Sequence, residues 1–265
     1  MRHIVYATLL LTVAASAAHA QVWNDCKYSE ERSATVEAGG AQLLDLDAGA
    51  GLLKIEGKAG ITSVQIRGKA CASDKELLQE IKLEARREGS TVRVKANVQD
   101  HDFSFGSMRN EYARLDVVIE VPLGMAARID DGSGDMELAG LGDTEIDDGS
   151  GGIVASNLAS AHINDGSGEI DLTNIRGRVD IDDGSGGIEL HDIAGDITID
   201  DGSGEIEVRD AHTNVRISDS SGSINVANVG GNFIVTDDGS GSIDYDNVKG
   251  RVELPAPRGR HRRDD

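Results

Sequence analysis

The tetrapeptide Asp-Gly-Ser-Gly begins at Asp131, Asp148, Asp165, Asp183, Asp201 and Asp238, and a variant, Asp-Ser-Ser-Gly, begins at Asp219. Successive spacings are 17, 17, 18, 18, 18 and 19 residues. Seven copies at so constant a period define a repeat architecture. Each unit is too small to bury an apolar face alone, so it must stack on the next.

With the repeat Asp as position 0, apolar residues recur at −4, −2, +5, +7 and +10. Position −2 runs Ile129, Ile146, Ile163, Ile181, Ile199, Ile217 and Thr236, and position +5 runs Met136, Ile153, Ile170, Ile188, Ile206, Ile224 and Ile243. The residues inside the −4/−2 and +5/+7 pairs are polar except Val235 and Val154. Period-2 alternation marks half-buried strands. Glycine at the intervening turn can adopt positive φ without steric cost. Position +9 holds Gly140, Asn157, Asn174, Asp192, Asp210, Asn228 and Asn247, residue types that tolerate the left-handed region and can form a side-chain ladder when stacked. No proline interrupts residues 123–254, as a continuous hydrogen-bonded stack requires. The five inward positions do not share one phase modulo six, which favours a coil of two strands and a corner over a left-handed hexapeptide helix. The expected fold is all-β: a single-stranded parallel β-helix, or β-solenoid, with coils of ~18 residues spaced ~4.8 Å apart, right-handed by the crossover rule.

Four regions follow. Residues 1–20 read as a signal peptide: Arg2, an apolar stretch from Ile4 to Ala15, and cleavage after Ala20 at Ala18-His19-Ala20. That stretch is too short to span a bilayer. The mature protein is therefore expected to be exported, periplasmic or at the cell surface, and not membrane-spanning. Residues 21–122 form an irregular β-rich cap. Within it, Leu44, Leu46, Gly49-Ala50-Gly51, Leu53 and Ile55 match a degenerate coil, and Val64 and Ile66 mark a strand. A short helix starts after Ser73 or Asp74, a hairpin turns at Arg87-Glu88-Gly89-Ser90, Asp100–Asn110 is a polar loop, and a strand runs from Leu115 to Val121. Residues 123–254 are the regular seven-coil solenoid, and residues 255–265 a disordered basic tail. Cys26 and Cys71 are an even pair, read as a disulfide in an oxidising compartment; two buried thiols are the other reading.

Residues 127–254 carry 28 Asp and Glu against 7 Lys and Arg, so the net charge of −21 resides in the solenoid. Such a surface repels nucleic acid and anionic lipid. Position −1 is also acidic, giving the pairs Asp130-Asp131, Asp147-Asp148, Asp182-Asp183, Asp200-Asp201 and Asp237-Asp238. Like charges ~4.8 Å apart repel by ~0.9 kcal/mol in water and ~3.5 kcal/mol at an effective dielectric of 20. Two arrangements would offset this. The position-0 carboxylate can close an Asx-turn on the Ser two residues on. Alternatively, divalent cations such as Ca²⁺, or a basic ligand, can sit along the paired columns, with position −1 the more exposed to solvent. The calcium nonapeptide pattern does not fit, because Asp201-Gly202-Ser203-Gly204-Glu205-Ile206 places Ile206 where that motif needs Asp.

Catalytic signals are weak. His162, His191 and His212 occupy different coil positions, and the Ser column has no His in register. Irregularities that could break the repeat are Ser218-Asp219-Ser220 and an extra residue near Gly230-Gly231-Asn232.

Val121-Pro122-Leu123-Gly124 leading into the first coil, and units such as Gly186-Gly187-Ile188-Glu189-Leu190, resemble a family of exported bacterial β-strand-repeat proteins grouped as adhesins, a domain of unknown function. The resemblance spans roughly residues 35–254, and the adhesin label rests on architecture. It implies no catalytic residues. The expected function is non-enzymatic: a repetitive acidic surface for binding or adhesion to a protein or polysaccharide of the cell envelope, assisted by divalent cations. The alternative is a carbohydrate-active parallel β-helix enzyme acting on polysaccharide.

Overall fold

The computed structural model of the chain describes residues 26–97 and 111–255. The proposed leader, the whole Asp100–Asn110 loop and residues 256–265 of the basic tail lie outside these residues.

The N-terminal elements are β1 (Tyr28–Glu37), β2 (Leu43–Ala50), β3 (Leu53–Lys58), β4 (Ser63–Ala72), α1 (Lys75–Glu80), β5 (Lys82–Glu88), β6 (Thr91–Asn97) and β7 (Ala113–Pro122). The coils follow as strand pairs: β8 and β9 (Ala126–Ser133, Met136–Ala139), β10 and β11 (Asp143–Asp148, Ile153–Ser156), β12 and β13 (Ser160–Asp165, Gly168–Ile175), and β14 and β15 (Val179–Asp183, Gly186–Ile193). Then come β16 and β17 (Ile197–Asp201, Gly204–Ala211), β18 and β19 (Val215–Asp219, Gly222–Val229), β20 and β21 (Phe233–Asp238, Ile243–Val248), and β22 (Val252–Glu253).

These strands form two eleven-stranded sheets, ordered β1-β4-β7-β3-β9-β11-β13-β15-β17-β19-β21 and β22-β20-β18-β16-β14-β12-β10-β8-β2-β6-β5. Each coil gives one strand to each sheet. Pairing between coils is parallel and in register, as in Ile163↔Ile181↔Ile199 and Ile170↔Ile188↔Ile206. The solenoid class and coil length read from the repeat are those of the structure. Both sheets bury their inward residues in one continuous core dominated by Ile, Val, Leu and Ala.

The turn is stacked as tightly as the strands. The Gly166 N–H donates to Asp148 O, and the Gly168 N–H to Ser185 O, so main-chain hydrogen bonds run through the bend. At the second Gly of the motif, an added Cβ on Gly204 would stand 1.5 Å from the Gly186 carbonyl oxygen. Only glycine permits that approach.

In β20 the structure departs from the period-2 reading. Phe233 and Val235 are buried, whereas Thr236 is exposed and Ile234 only half-buried. The register slips between Ile217↔Val235 and Ser218↔Asp237, so Thr236 is the extra residue of a bulge. The 19-residue spacing is thus absorbed at Thr236, not near Gly230-Gly231-Asn232, and the inward residues of that strand shift by one.

At the N-terminal end the degenerate coil is β2 and β3, with Leu44, Leu46, Leu53 and Ile55 buried. It lies between β8–β9 and β6–β7, although β6 and β7 follow it in sequence. The end is then closed by antiparallel strands: β4 on β7, β1 on β4, and β5 on β6. The Asp74 side chain caps α1 by accepting the Leu77 N–H at 2.9 Å. A disulfide joins Cys26 to Cys71, tying the segment before β1 to β4.

Candidate functional site

The two acidic columns stand on opposite faces of one sheet. Successive side chains of a strand alternate sides, so position −1 points out and position 0 points in. Asp130, Asp147, Asp182, Asp200 and Asp237 are exposed, while Asp131, Asp148, Asp165, Asp183, Asp201 and Asp219 are 1–4% exposed. Asp238, after the bulge, is half-buried. No −1/0 pair can therefore chelate one ion as the adjacency in sequence suggested. Among the described residues, no three His, Cys, Asp or Glu side chains gather round a metal position.

The inner column closes turns. Oδ1 of Asp165, Asp183, Asp201 and Asp219 accepts the amide of Ser167, Ser185, Ser203 and Ser221 at 3.1, 3.0, 3.0 and 2.8 Å. The second carboxylate oxygen has no such partner. Oδ2 of Asp131, Asp148, Asp165, Asp183, Asp201 and Asp219 is buried without a hydrogen bond. Burial, and then the carboxylates of adjacent coils, push Asp131 up to about 7 and Asp148 and Asp201 up to about 6. Asp183 is pushed up to about 6, chiefly by burial. Asp165 and Asp219 are raised for the same first reason.

The outer column is registered Asp130↔Asp147↔Asn164↔Asp182↔Asp200↔Ser218↔Asp237. Asp130, Asp147, Asp182 and Asp200 form no ion pair with a described residue. Positions −5 and −3 on the same face are different, carrying the ion pairs Arg128–Glu145 at 2.8 Å, between coils, and Arg178–Asp180 at 2.6 Å, within one. A cleft of about 430 Å³ opens there, lined by Arg128, Glu145, His162, Arg178 and Asp180. Its lining also includes Ala127, Thr144 and Ala161 of position −4.

The corner column adopts the left-handed region as expected, with φ of 59, 58, 58, 58, 60 and 51° at Asn157, Asn174, Asp192, Asp210, Asn228 and Asn247. Amide rungs run from Asn174 Nδ2 to Asn157 Oδ1 (2.6 Å), Asn228 Nδ2 to Asp210 Oδ1 (2.9 Å) and Asn247 Nδ2 to Asn228 Oδ1 (2.7 Å). Between Asp192 and Asp210 no amide is available. There His212 Nε2 meets Asp192 Oδ1 at 2.8 Å and His191 Nε2 meets Asp210 Oδ2 at 3.1 Å. Each of these histidines thus pairs with a corner aspartate of the adjacent coil. The offset of His191 one residue before the corner, and of His212 two after the next, hid a pairing that crosses adjacent coils.

Residues 54–256 match the family model of the Toastrack DUF4097 domain. The chain belongs to that family. No curated protein matches it. Among solved structures, it is similar to a "putative cell adhesion protein" from Clostridium sporogenes, at 16% identity and TM-score 0.35, over 86% of this chain and 100% of that one. It is also similar to a "putative lipid binding protein" from Parabacteroides distasonis (15%, TM-score 0.42, 85% and 97%) and a "putative adhesin" from Bacteroides fragilis (11%, TM-score 0.34, 86% and 97%). Likenesses at these scores carry no argument about what this Toastrack domain binds.

Proposed function

We propose that this Toastrack domain is a non-enzymatic, exported binding module of the adhesion type, whose outward acidic column engages a cationic protein segment. The observation that carries the reading is the geometry of Asp130, Asp147, Asp182 and Asp200. They are exposed, held in register on a rigid sheet, and not neutralised by ion pairs with described residues. A stacked sheet has little conformational freedom to lose, so it presents such a row pre-organised. Divalent cations assist as a counterion atmosphere along the column, since the columns offer no chelating pair. The regularity of the acids favours binding over catalysis: among the described residues, the Ser column has no His beside it to act as a base.

The test is titration of the purified protein with a short polylysine peptide, in low and in moderate salt. Binding is expected to weaken with salt and to decline stepwise as Asp130, Asp147, Asp182 and Asp200 are changed to Asn. Loss of binding on changing the Asp237-Asp238 pair alone, with the other four intact, would point to one discrete site and defeat the proposal. Cell fractionation tests export; retention of the chain in the cytoplasm would contradict it.

A further inference from the structure

Six interior carboxylates stand in single file: Asp131, Asp148, Asp165, Asp183, Asp201 and Asp219, paired strand to strand in unbroken register. The outer column beside it admits Asn164 and Ser218, and the turn admits Ser220, yet the inner position is Asp in all seven repeats. Turn closure alone does not require that. An Asn side chain closes the same Asx-turn through its oxygen. Each carboxylate spends one oxygen on the turn or none, and each keeps an Oδ2 that is buried and unbonded. A buried acceptor left unpaired is costly, and a buried unpaired charge more so. Neighbouring carboxylates are one coil apart, ~4.8 Å between backbones. A proton on one of them can be donated to the free oxygen of the next.

We propose that this interior file is a proton-binding site, in which neighbouring aspartates share protons so that acid and carboxylate forms alternate along the stack. The proton comes from solvent as the coils close, and each O–H satisfies an otherwise orphaned acceptor with no added atom. The charged groups around the file are all acidic: its own members and, one residue earlier on the outer face, Asp130, Asp147, Asp182 and Asp200. No described Lys, Arg or His makes an ion pair with a file member. The file ends at Ala48, which pairs with Asp131 on β2, and at the half-buried Asp238 on β20. The buried Asp116 on β7 has its own partners, the Leu52 N–H at 3.0 Å and Arg114 at 3.5 Å.

The pH dependence has a definite sign. The file's carboxyls titrate higher in the folded chain than in the unfolded one, up to about 6 and about 7. The folded state therefore holds more protons. The resulting stability is fully present below the ordinary carboxylate range and is lost as pH rises through 6 to 7. Proteins stabilised by ionised carboxylates behave in the opposite way.

The experiment is urea unfolding of the full chain at several values from about pH 5 to about pH 8, for the wild type, for the double variant Asp183→Asn and Asp201→Asn, and for the outward control Asp182→Asn and Asp200→Asn. The wild-type midpoint should fall as pH rises. The inner variant should be flatter and should exceed the wild type at the alkaline end; the control should keep the wild-type slope. A wild-type midpoint that is flat or rises with pH overturns the proposal. So does an outward variant that flattens the slope as much as the inner one, since that would make it general charge repulsion. If millimolar CaCl₂ at the alkaline end restores the midpoint in the wild type but not in the inner variant, cations rather than protons fill the file, and the proposal fails. Infrared spectroscopy of the wild type at about pH 5.5, below the titration of the file and above the ordinary carboxylate range, gives a reading that needs no variant. A protonated carboxylic acid C=O band should be present, and its absence refutes the site. Polylysine binding is unaffected by these outcomes, so failure here leaves the proposed function standing.

Discussion

Asn228 occupies the corner at φ 60° and sits in two amide rungs, donating to Asp210 at 2.9 Å and accepting from Asn247 at 2.7 Å. Two substitutions separate these contributions. Asn228→Gly keeps the left-handed backbone at no steric cost and removes both rungs. The rungs are exposed, so they fall at the low end of the ~0.5–1.5 kcal/mol range for a hydrogen bond, and their joint loss should cost about 1 kcal/mol. Asn228→Ala removes the same rungs but keeps a Cβ in the left-handed region without the local side-chain hydrogen bonding that lets Asn tolerate it, which against Gly costs ~1–2 kcal/mol, partly offset by the greater freedom that Gly gives the unfolded chain. The Ala variant should therefore be less stable than the Gly variant by about 1 kcal/mol, and less stable than the wild type by about 2. Urea unfolding followed by circular dichroism measures both. An Ala variant as stable as the Gly variant would show that the corner does not hold its left-handed geometry in solution. A Gly variant as stable as the wild type would show that the amide ladder contributes nothing.

Two further outcomes follow from the packing. Gly204→Ala would place a Cβ 1.5 Å from the Gly186 carbonyl, so neighbouring coils must part and lose main-chain bonds; the loss should exceed ~3 kcal/mol and show as a collapse in soluble folded yield. Reducing the Cys26–Cys71 disulfide releases a sequence separation of 45 residues, for which the chain-entropy model gives at most ~4 kcal/mol. Because that bond lies in the N-terminal cap, thermal melting with and without reductant should lower a transition of the cap while the parallel coils keep their circular dichroism.

The regular coils were legible because their constraint is local and repeated. Every inward column from −4 to +10 follows from one alternation and one turn, and the six earlier coils obey it throughout. Legibility stopped where one residue shifts the phase. Thr236 bulges out and brings in Phe233 and Val235, and a sequence cannot say which of several residues near a 19-residue spacing is extruded. The division of labour between the two acidic columns has a related cause. Asp130 and Asp131 are neighbours in sequence, but a strand sends neighbours to opposite faces, by the same alternation that turns the isoleucines inward. The orphaned Oδ2 atoms had no sequence signal beyond the constancy of Asp at position 0. The placement of β2 and β3 between β8–β9 and β6–β7 rests on pairings such as Leu44↔Val92 and Ile55↔Ile119, long-range choices that no local pattern encodes.

That placement bears on how the chain must assemble. From β8 onward, each winding needs only the one just laid down, about eighteen residues back, so order can spread by nearest-neighbour addition as in a zipper. The opposite end cannot close that way. The strand from Ala113 to Pro122 must lie against both Leu53–Lys58 and Ser63–Ala72, and the Leu43–Ala50 strand must be slotted between one partner far downstream and another that has already turned back. Large loops must therefore be pinned before the cap gains anything, so the regular windings are the natural nucleus, and the segment that precedes them in the chain is the one that settles last.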